Sequence, residues 1–179
     1  MSSTMQILIA GFGGQGVLFA GKLLAYKGLM EDRQVSWLPS YGPEMRGGTA
    51  NCSVILSDSP VGSPIITEPD VLIAMNLPSL QKYVNSVVPG GQIYLDSALI
   101  GEKVERTDVE VFYIPATQMA KDEGISSLAN MILVGHLLQN NKELSFEGTE
   151  TVVNKLVPPK KAAMIELNMK ALTMGKEYK

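Results

Sequence analysis

Four glycines cluster in the short segment between the first predicted strand and the first predicted helix. The segment fits the dinucleotide-binding pattern G-x-G-x-x-G, and it stands between a strand and a helix as that pattern requires. Glycines permit a tight turn there, and the free N–H groups at the start of a helix favour an anion. The candidate cofactor-binding or subunit-contact residues are Gly11, Gly13, Gly14, Gln15 and Gly16.

Three interpretations of this glycine loop are open. It could bind NAD or FAD, contact another anion or cofactor, or serve only to pack the helix on the strand or on another subunit. A dinucleotide site also needs an acidic residue at the end of the second strand, where it holds the ribose. Residues 36–40 read Ser-Trp-Leu-Pro-Ser instead, and Glu31 and Asp32 precede the predicted strand. The missing acid argues against a dinucleotide without choosing between the other two interpretations.

A second loop, residues 40–49, carries one acid, one base and three glycines just after a predicted strand. Such a position is where α/β sheets place their ligands. In one interpretation Glu44 and Arg46 form a solvated ion pair, which stabilises little. In the other, Arg46 meets a phosphate or carboxylate of a ligand or partner. The candidate contact residues of this loop are Tyr41, Glu44, Arg46, Gly47 and Gly48.

The remaining chemically capable residues favour structural roles, so no catalytic residue and no metal ligand is predicted. Cys52 is the single cysteine, in an alternating strand pattern, and it is expected to face the core. His136 is the single histidine and lies among leucines and valines, which predicts a tucked or surface side chain. Asp96 ends a predicted strand, a position typical of turn and cap residues.

Short apolar runs alternate with helical patterns, which predicts an α/β fold with a largely parallel sheet flanked by helices and a Rossmann-like glycine loop after the first strand. One domain is expected over residues 1–179. Pro39 is expected to end the second strand, and Ser79 to cap a helix. The last helix should follow Pro158 and Pro159, with an apolar stripe. Predicted strands cover residues 6–10, 35–38, 50–56, 71–75, 92–96 and 109–114; helices are predicted from residues 17, 79, 116 and 159, and the stripe comprises Ala162, Ile165, Met169 and Leu172.

Composition excludes several classes of function. A net charge of −3 leaves no electrostatic footprint for nucleic acid. No apolar run approaches the roughly 20 residues that cross a bilayer, and residues 1–4 lack the features of a secretory signal. One cysteine cannot form an intrachain disulfide or hold an iron–sulfur cluster. We therefore expect a cytoplasmic protein.

Taken together, the two loops resemble the gamma subunits of 2-oxoacid:ferredoxin oxidoreductases, the pyruvate/ketoisovalerate oxidoreductase gamma-domain family. The resemblance rests on residues 11–17, Gly-Phe-Gly-Gly-Gln-Gly-Val, and on residues 40–50, Ser-Tyr-Gly-Pro-Glu-Met-Arg-Gly-Gly-Thr-Ala. It continues through residues 69–76 to the proline-preceded last helix. The second motif is most similar to the 2-oxoglutarate type, with the branched-chain 2-oxoacid type close behind. The indolepyruvate type is a weaker match, because a histidine-containing segment precedes its Arg-Gly-Gly.

The resemblance implies one subunit of an enzyme that converts a 2-oxoacid, coenzyme A (CoA) and oxidised ferredoxin to acyl-CoA, CO₂ and reduced ferredoxin. It implies thiamine diphosphate, Mg²⁺, [4Fe–4S] clusters and CoA in the assembled enzyme, with none held by this chain alone. The implied partners are alpha and beta subunits, with or without a delta subunit, and ferredoxin through the complex. The sequence has neither a thiamine Gly-Asp-Gly motif nor a cysteine set, so the chain is expected to be inactive alone.

Overall fold

The computed structural model describes residues 3–41 and 49–179, with only the backbone given for Tyr41. In these residues six strands form one sheet. The strands are β1 (Thr4–Phe12), β2 (Gln34–Tyr41), β3 (Thr49–Ser57), β4 (Val71–Ala74), β5 (Gln92–Asp96) and β6 (Glu110–Ile114). The helices are α1 (Val17–Met30), α2 (Leu77–Tyr83), α3 (Ala116–Asp122), α4 (Ala129–Asn140), α5 (Thr149–Leu156) and α6 (Ala163–Glu177), with 3₁₀ turns at Val84–Ser86, Ser126–Leu128 and Pro159–Lys161.

The strand order is β2-β3-β1-β4-β5-β6. Strands β1, β4, β5 and β6 are parallel neighbours, whereas β3 runs antiparallel to both β1 and β2. The predicted α/β class with a largely parallel sheet is confirmed, and β3 is its antiparallel exception.

The apolar residues of the sheet alternate between two cores. Ile7 and Ile9 of β1 belong to the larger core, which includes residues of α1, α3, α4, α5 and α6. Leu8 faces the opposite side and packs in a smaller core with Leu80 of α2. Because α1 and α2 cover opposite faces, the chain changes sides between β1 and β4. That change defines a topological switch point at the carboxyl ends of these two strands.

Close packing between helices α4 and α6 depends on two glycines. A Cβ atom added at Gly135 would overlap the backbone of Leu172, and one added at Gly175 would overlap the carbonyl of Ile132. The backbones of the two helices are therefore in direct contact, with no side chain between them. His136 lies at this crossing, and its Nδ1 is 2.9 Å from the carbonyl oxygen of Gly175.

Several sequence predictions about element ends are wrong. Pro39 does not end β2, because β2 has β3 as its one neighbour in the sheet and a proline N is tolerated on such an edge strand. Asn76, rather than Ser79, caps α2, since its side chain accepts a hydrogen bond from the Ser79 amide at 2.8 Å. The helical segment from Ala116 is divided into α3 and α4 by a turn at Gly124, whose φ is +70°.

The last helix also differs from its prediction. It is preceded by the two prolines, but α6 begins after a 3₁₀ turn at Pro159–Lys161. Of the predicted stripe, Leu172 is buried and Ile165 and Met169 are partly buried against the core, whereas Ala162 is exposed. The fully buried residues of α6 are Asn168, Ala171, Leu172 and Gly175. Helix α5 was not predicted at all. Among the helices that the described residues form, none is both long enough and apolar enough to cross a membrane.

Candidate functional site

The glycine loop joins the end of β1 to the start of α1 by a turn that needs glycine at two positions. Gly14 and Gly16 have φ of +91° and +74°, in the left-handed region that side chains disfavour. Gly16 is the N-cap of α1, and no side chain caps this helix. The tight strand-to-helix turn predicted for this loop therefore depends on glycine, because two of its residues have positive φ.

The side chain of Gln15 folds back across the switch point. Its Oε1 accepts a hydrogen bond from the Phe12 amide at 2.7 Å, and its Nε2 donates to the Met75 carbonyl at 3.0 Å. One carboxamide thus ties the end of β1 to the end of β4. Gly11 makes room for it, since a Cβ there would lie 2.6 Å from Oε1. Gln15 therefore occupies the crevice in which doubly wound folds bind ligands.

This geometry weighs against a dinucleotide. The Phe12 N–H, which could otherwise meet a phosphate, is already bonded to Gln15. On the side of β1 away from β4, the neighbouring strand is β3, and it begins rather than ends at this edge, since Thr49 pairs with Phe12. The antiparallel β3 separates β1 from β2, so the end of β2 does not reach the position from which a ribose-binding acid acts.

The second loop begins and ends at the same edge of the sheet. Tyr41 is the last residue of β2 and pairs with Ala50, and Thr49 pairs with Phe12 of the glycine loop. The flanking residues of the two candidate loops are therefore neighbours. The predicted contact residues Glu44, Arg46, Gly47 and Gly48 lie outside the described residues, as does the side chain of Tyr41.

Asp96 is fully buried at the end of β5 and acts within the fold. Its carboxylate accepts hydrogen bonds from the Thr117 hydroxyl at 2.5 Å and from the amides of Thr117 and Ala98, each at 3.1 Å. These contacts hold the start of α3 against the sheet. The cap or turn role that the sequence predicts for Asp96 agrees with this geometry.

Cys52 and His136 are buried away from the glycine loop. Cys52 lies under α1, where a Cβ atom added at Gly21 would overlap its Sγ, and burial raises the pKa of its thiol to about 12. Burial lowers the pKa of His136, and its hydrogen bond to Gly175 opposes this shift. A protonated thiol and a neutral, packed imidazole are poor catalysts. Within the part of the chain that the structure describes, no three His, Cys, Asp or Glu side chains could hold a metal ion.

Another candidate site, a groove of about 660 Å³, lies beside the glycine loop and was missed by sequence reasoning. It is lined by Gly16 and Phe19 at the start of α1 and by residues at the ends of α4, α5 and α6. Asn130 joins the two sites, since its Nδ2 donates to the Gly16 carbonyl at 3.0 Å. A polar amide within the apolar run of α4 was the one signal in the sequence that could have indicated it.

Comparison with known proteins gives a consistent result. The family model for pyruvate ferredoxin/flavodoxin oxidoreductase matches residues 6–178. Subunit VorA of a ketoisovalerate oxidoreductase from Methanothermobacter thermautotrophicus is 37% identical over 97% of this chain, which spans about a third (36%) of that relative's length. Subunit KorC of a 2-oxoglutarate synthase from Methanothermobacter marburgensis is 34% identical, over 96% of this chain and 95% of the relative.

Solved structures agree. The gamma subunit of a keto/oxoacid ferredoxin oxidoreductase from Geobacter sulfurreducens has a TM-score of 0.81 and 31% identity, and the match covers 97% of this chain and 96% of that one. A 2-oxoglutarate:ferredoxin oxidoreductase from Magnetococcus marinus, with 2-oxoglutarate, CoA and succinyl-CoA bound, has a TM-score of 0.87 over 97% of this chain and 30% of that one. At 24% identity this second likeness concerns the fold alone.

The protein has an α/β sheet whose glycine loop is bonded by its own Gln15 side chain, and the family model matches nearly the whole chain. These two findings define the class of the protein. The chain belongs to the pyruvate ferredoxin/flavodoxin oxidoreductase family. The resemblance to gamma subunits of 2-oxoacid:ferredoxin oxidoreductases, first seen in the two loops, is confirmed.

Proposed function

We propose that this chain is the gamma subunit of a thiamine diphosphate-dependent 2-oxoacid:ferredoxin oxidoreductase that forms acyl-CoA. The observation that carries the proposal is the family match over residues 6–178, together with a gamma subunit of similar length and fold. The chain contributes binding surface rather than catalytic groups. Its chemically capable side chains Cys52, Asp96 and His136 are buried in structural contacts.

The cofactors of the reaction are proposed to be held by partner chains. Thiamine diphosphate with Mg²⁺ supplies the stabilised carbanion that forms when a 2-oxoacid loses CO₂, and [4Fe–4S] clusters carry the electrons. One cysteine cannot hold such a cluster. The proposed partners are alpha and beta subunits, with or without a delta subunit, in the cytoplasm, with ferredoxin reached through the complex. A single domain over residues 1–179 remains a prediction.

The proposed 2-oxoacid is 2-oxoglutarate, because the amino-acid sequence of residues 40–48 is most similar to that of the 2-oxoglutarate type. A branched-chain 2-oxoacid is the second candidate, because the ketoisovalerate relative is 37% identical and the 2-oxoglutarate relative 34%.

The proposed role of the two loops is contact with a partner subunit or with CoA at the edge of the sheet. Gln15 already bonds the Phe12 amide and the Met75 carbonyl. The glycine loop therefore presents a preformed surface, and the charge for an anionic partner is proposed to come from Arg46. Thr49, at the end of the second loop, pairs with Phe12 of the glycine loop, and this pairing supports a contact surface shared by the two loops.

Reconstitution tests the proposal. The chain is purified alone and with its partner subunits, and 2-oxoacid-dependent dye reduction is measured with CoA and thiamine diphosphate. We expect no activity from the chain alone, and turnover when it completes the complex. Comparing kcat/KM for 2-oxoglutarate, 2-oxoisovalerate and pyruvate then identifies the substrate. Turnover by the lone pure chain, or full turnover by the partners without it, would refute the assignment.

A further inference from the structure

The groove beside the glycine loop is formed where several helix ends meet, and it is called the helix-end groove below. Its walls are mainly apolar, with Phe19, Leu128, Leu156 and Met164 among them. Lys161 is the one charged side chain among its described lining residues. A volume of about 660 Å³ is large enough for several side chains of a bound segment.

The electrostatic character of the helix-end groove is positive. The N-terminal ends of α1, α4 and α6 line it, through Gly16, Leu128 and Met164, and none of the three helices has a side-chain cap. Each helix N-terminus carries about half a positive charge. The C-terminal end of α5, at Leu156, carries about half a negative charge and so offsets one of these three positive partial charges. Glu166 in the first turn of α6 reduces that helix's contribution but does not line the groove. With the ammonium group of Lys161 added, the balance still favours an occupant with negative charge.

Two buried amide side chains in the lining each have an oxygen that accepts no hydrogen bond from the described residues. Asn130 and Asn168 are 4% and 3% exposed. Their Nδ2 groups donate to the carbonyls of Gly16 and Met164, but neither Oδ1 has a hydrogen-bond partner among the described residues. Leaving a buried acceptor unpaired is unfavourable. Each Oδ1 is itself buried, so the N–H donors of an occupant relieve it only when the amide turns toward the groove; a simple inorganic anion has no N–H to offer.

We infer that the helix-end groove docks a polypeptide segment of a partner subunit, one that carries an Asp or Glu carboxylate beside an apolar side chain. The carboxylate faces Lys161 and the helix N-termini, the apolar side chain packs against Phe19 and Met164, and N–H groups of the segment serve Asn130 and Asn168. This docking rests on the proposed function, because it requires partner subunits.

The test is the affinity of the purified chain for its partner subunits, with Lys161→Glu as the principal variant. Charge reversal at Lys161 should weaken assembly at least tenfold, and Lys161→Arg should leave it unchanged. Lys142→Glu is the matched control, because Lys142 is exposed just beyond the far end of α4 from the groove. Added salt should weaken the wild-type complex more than the Lys161→Glu complex. Circular dichroism confirms that each variant is folded.

A photo-crosslinking amino acid at position 19 identifies the occupant in the reconstituted complex. We expect the crosslinked peptide to come from a partner subunit and to contain an acidic residue. A crosslink to a second copy of this chain, or normal assembly of Lys161→Glu with a raised KM for CoA, would overturn the inference. Failure of the wild-type chain to assemble with any partner subunit would instead refute the proposed function.

Discussion

Replacing Gly175 with alanine should force helices α4 and α6 apart and destabilise the fold. The new Cβ would lie 2.8 Å from the carbonyl carbon of Ile132 and 2.9 Å from the amide nitrogen of His136, besides overlapping the Ile132 oxygen. Ordinary carbon contacts are about 3.5–4.0 Å. Because these obstacles are backbone atoms, no rotamer change can relieve them, and a helix must move instead.

The size of this effect follows from two opposing contributions. Alanine is favoured over glycine inside a helix by about 1 kcal/mol. Overpacking typically costs about 1–3 kcal/mol, and a backbone obstacle places this site at the upper end. We expect a net loss of about 2 kcal/mol or more in the free energy of unfolding. For a chain of this size, that lowers the melting temperature by roughly 4–8 °C.

Thermal and urea unfolding measure this loss, with other glycines as controls. Gly135→Ala should behave like Gly175→Ala, since it meets the backbone of Leu172 across the same crossing. The double variant should lose less than the sum, because one displacement accommodates both methyl groups. Gly62→Ala and Gly101→Ala have nothing within 4 Å of the new Cβ and should be neutral or slightly stabilising. Melting of Gly175→Ala within 1 °C of wild type would refute the packing argument.

Three further outcomes are expected. Because burial raises the pKa of Cys52 to about 12, the native chain should resist a thiol reagent at pH 8 and react fully in guanidinium; rapid native labelling would contradict this. Because burial lowers the pKa of His136, the histidine binds a proton more readily in the unfolded chain than in the folded one as the pH falls. The free energy of unfolding should therefore keep its full His136 contribution above about pH 6.5 and decline below it. Urea unfolding should show a shallower decline for His136→Gln. Arg46→Ala should reduce activity or assembly of the reconstituted complex at least tenfold with little change in the melting temperature of the free chain, whereas normal kinetics would favour a solvated Glu44–Arg46 pair.

The sequence predicts the elements whose patterns are local. Strand β5 matches its prediction from Gln92 to Asp96, because a buried parallel strand is a continuous apolar run between turn residues. The start of α1 at Val17 follows from the glycines before it. Pro39 shows the limit of such reasoning, since whether a proline ends a strand depends on whether the strand lies at the edge of its sheet. Helix α5 begins without a side-chain cap and has only eight residues, but its residues Val152, Val153 and Leu156 follow a helical spacing that could have indicated it.

The candidate site also has features that the sequence predicts and features that depend on the tertiary fold. The glycine loop is evident from its residue types, but the closure of its crevice by Gln15 is not, since that depends on Met75, sixty residues away. The helix-end groove collects residues from four helices that only the tertiary fold brings together. Asn130 and Asn168 carry a local signal, a polar amide within a helix, but not the information that they line one groove.

The central position of β1 also has a consequence for the order of events during synthesis. Strand β1 is synthesised before both of its neighbours, since it pairs with β3 on one side and with β4 on the other. Its second neighbour is complete only when Ala74 has been made. Until then at least one edge of the apolar segment 7–10 is unpaired, a state that favours non-native association. Translation past β4 therefore ends the period in which β1 is open to pairing with the wrong strand.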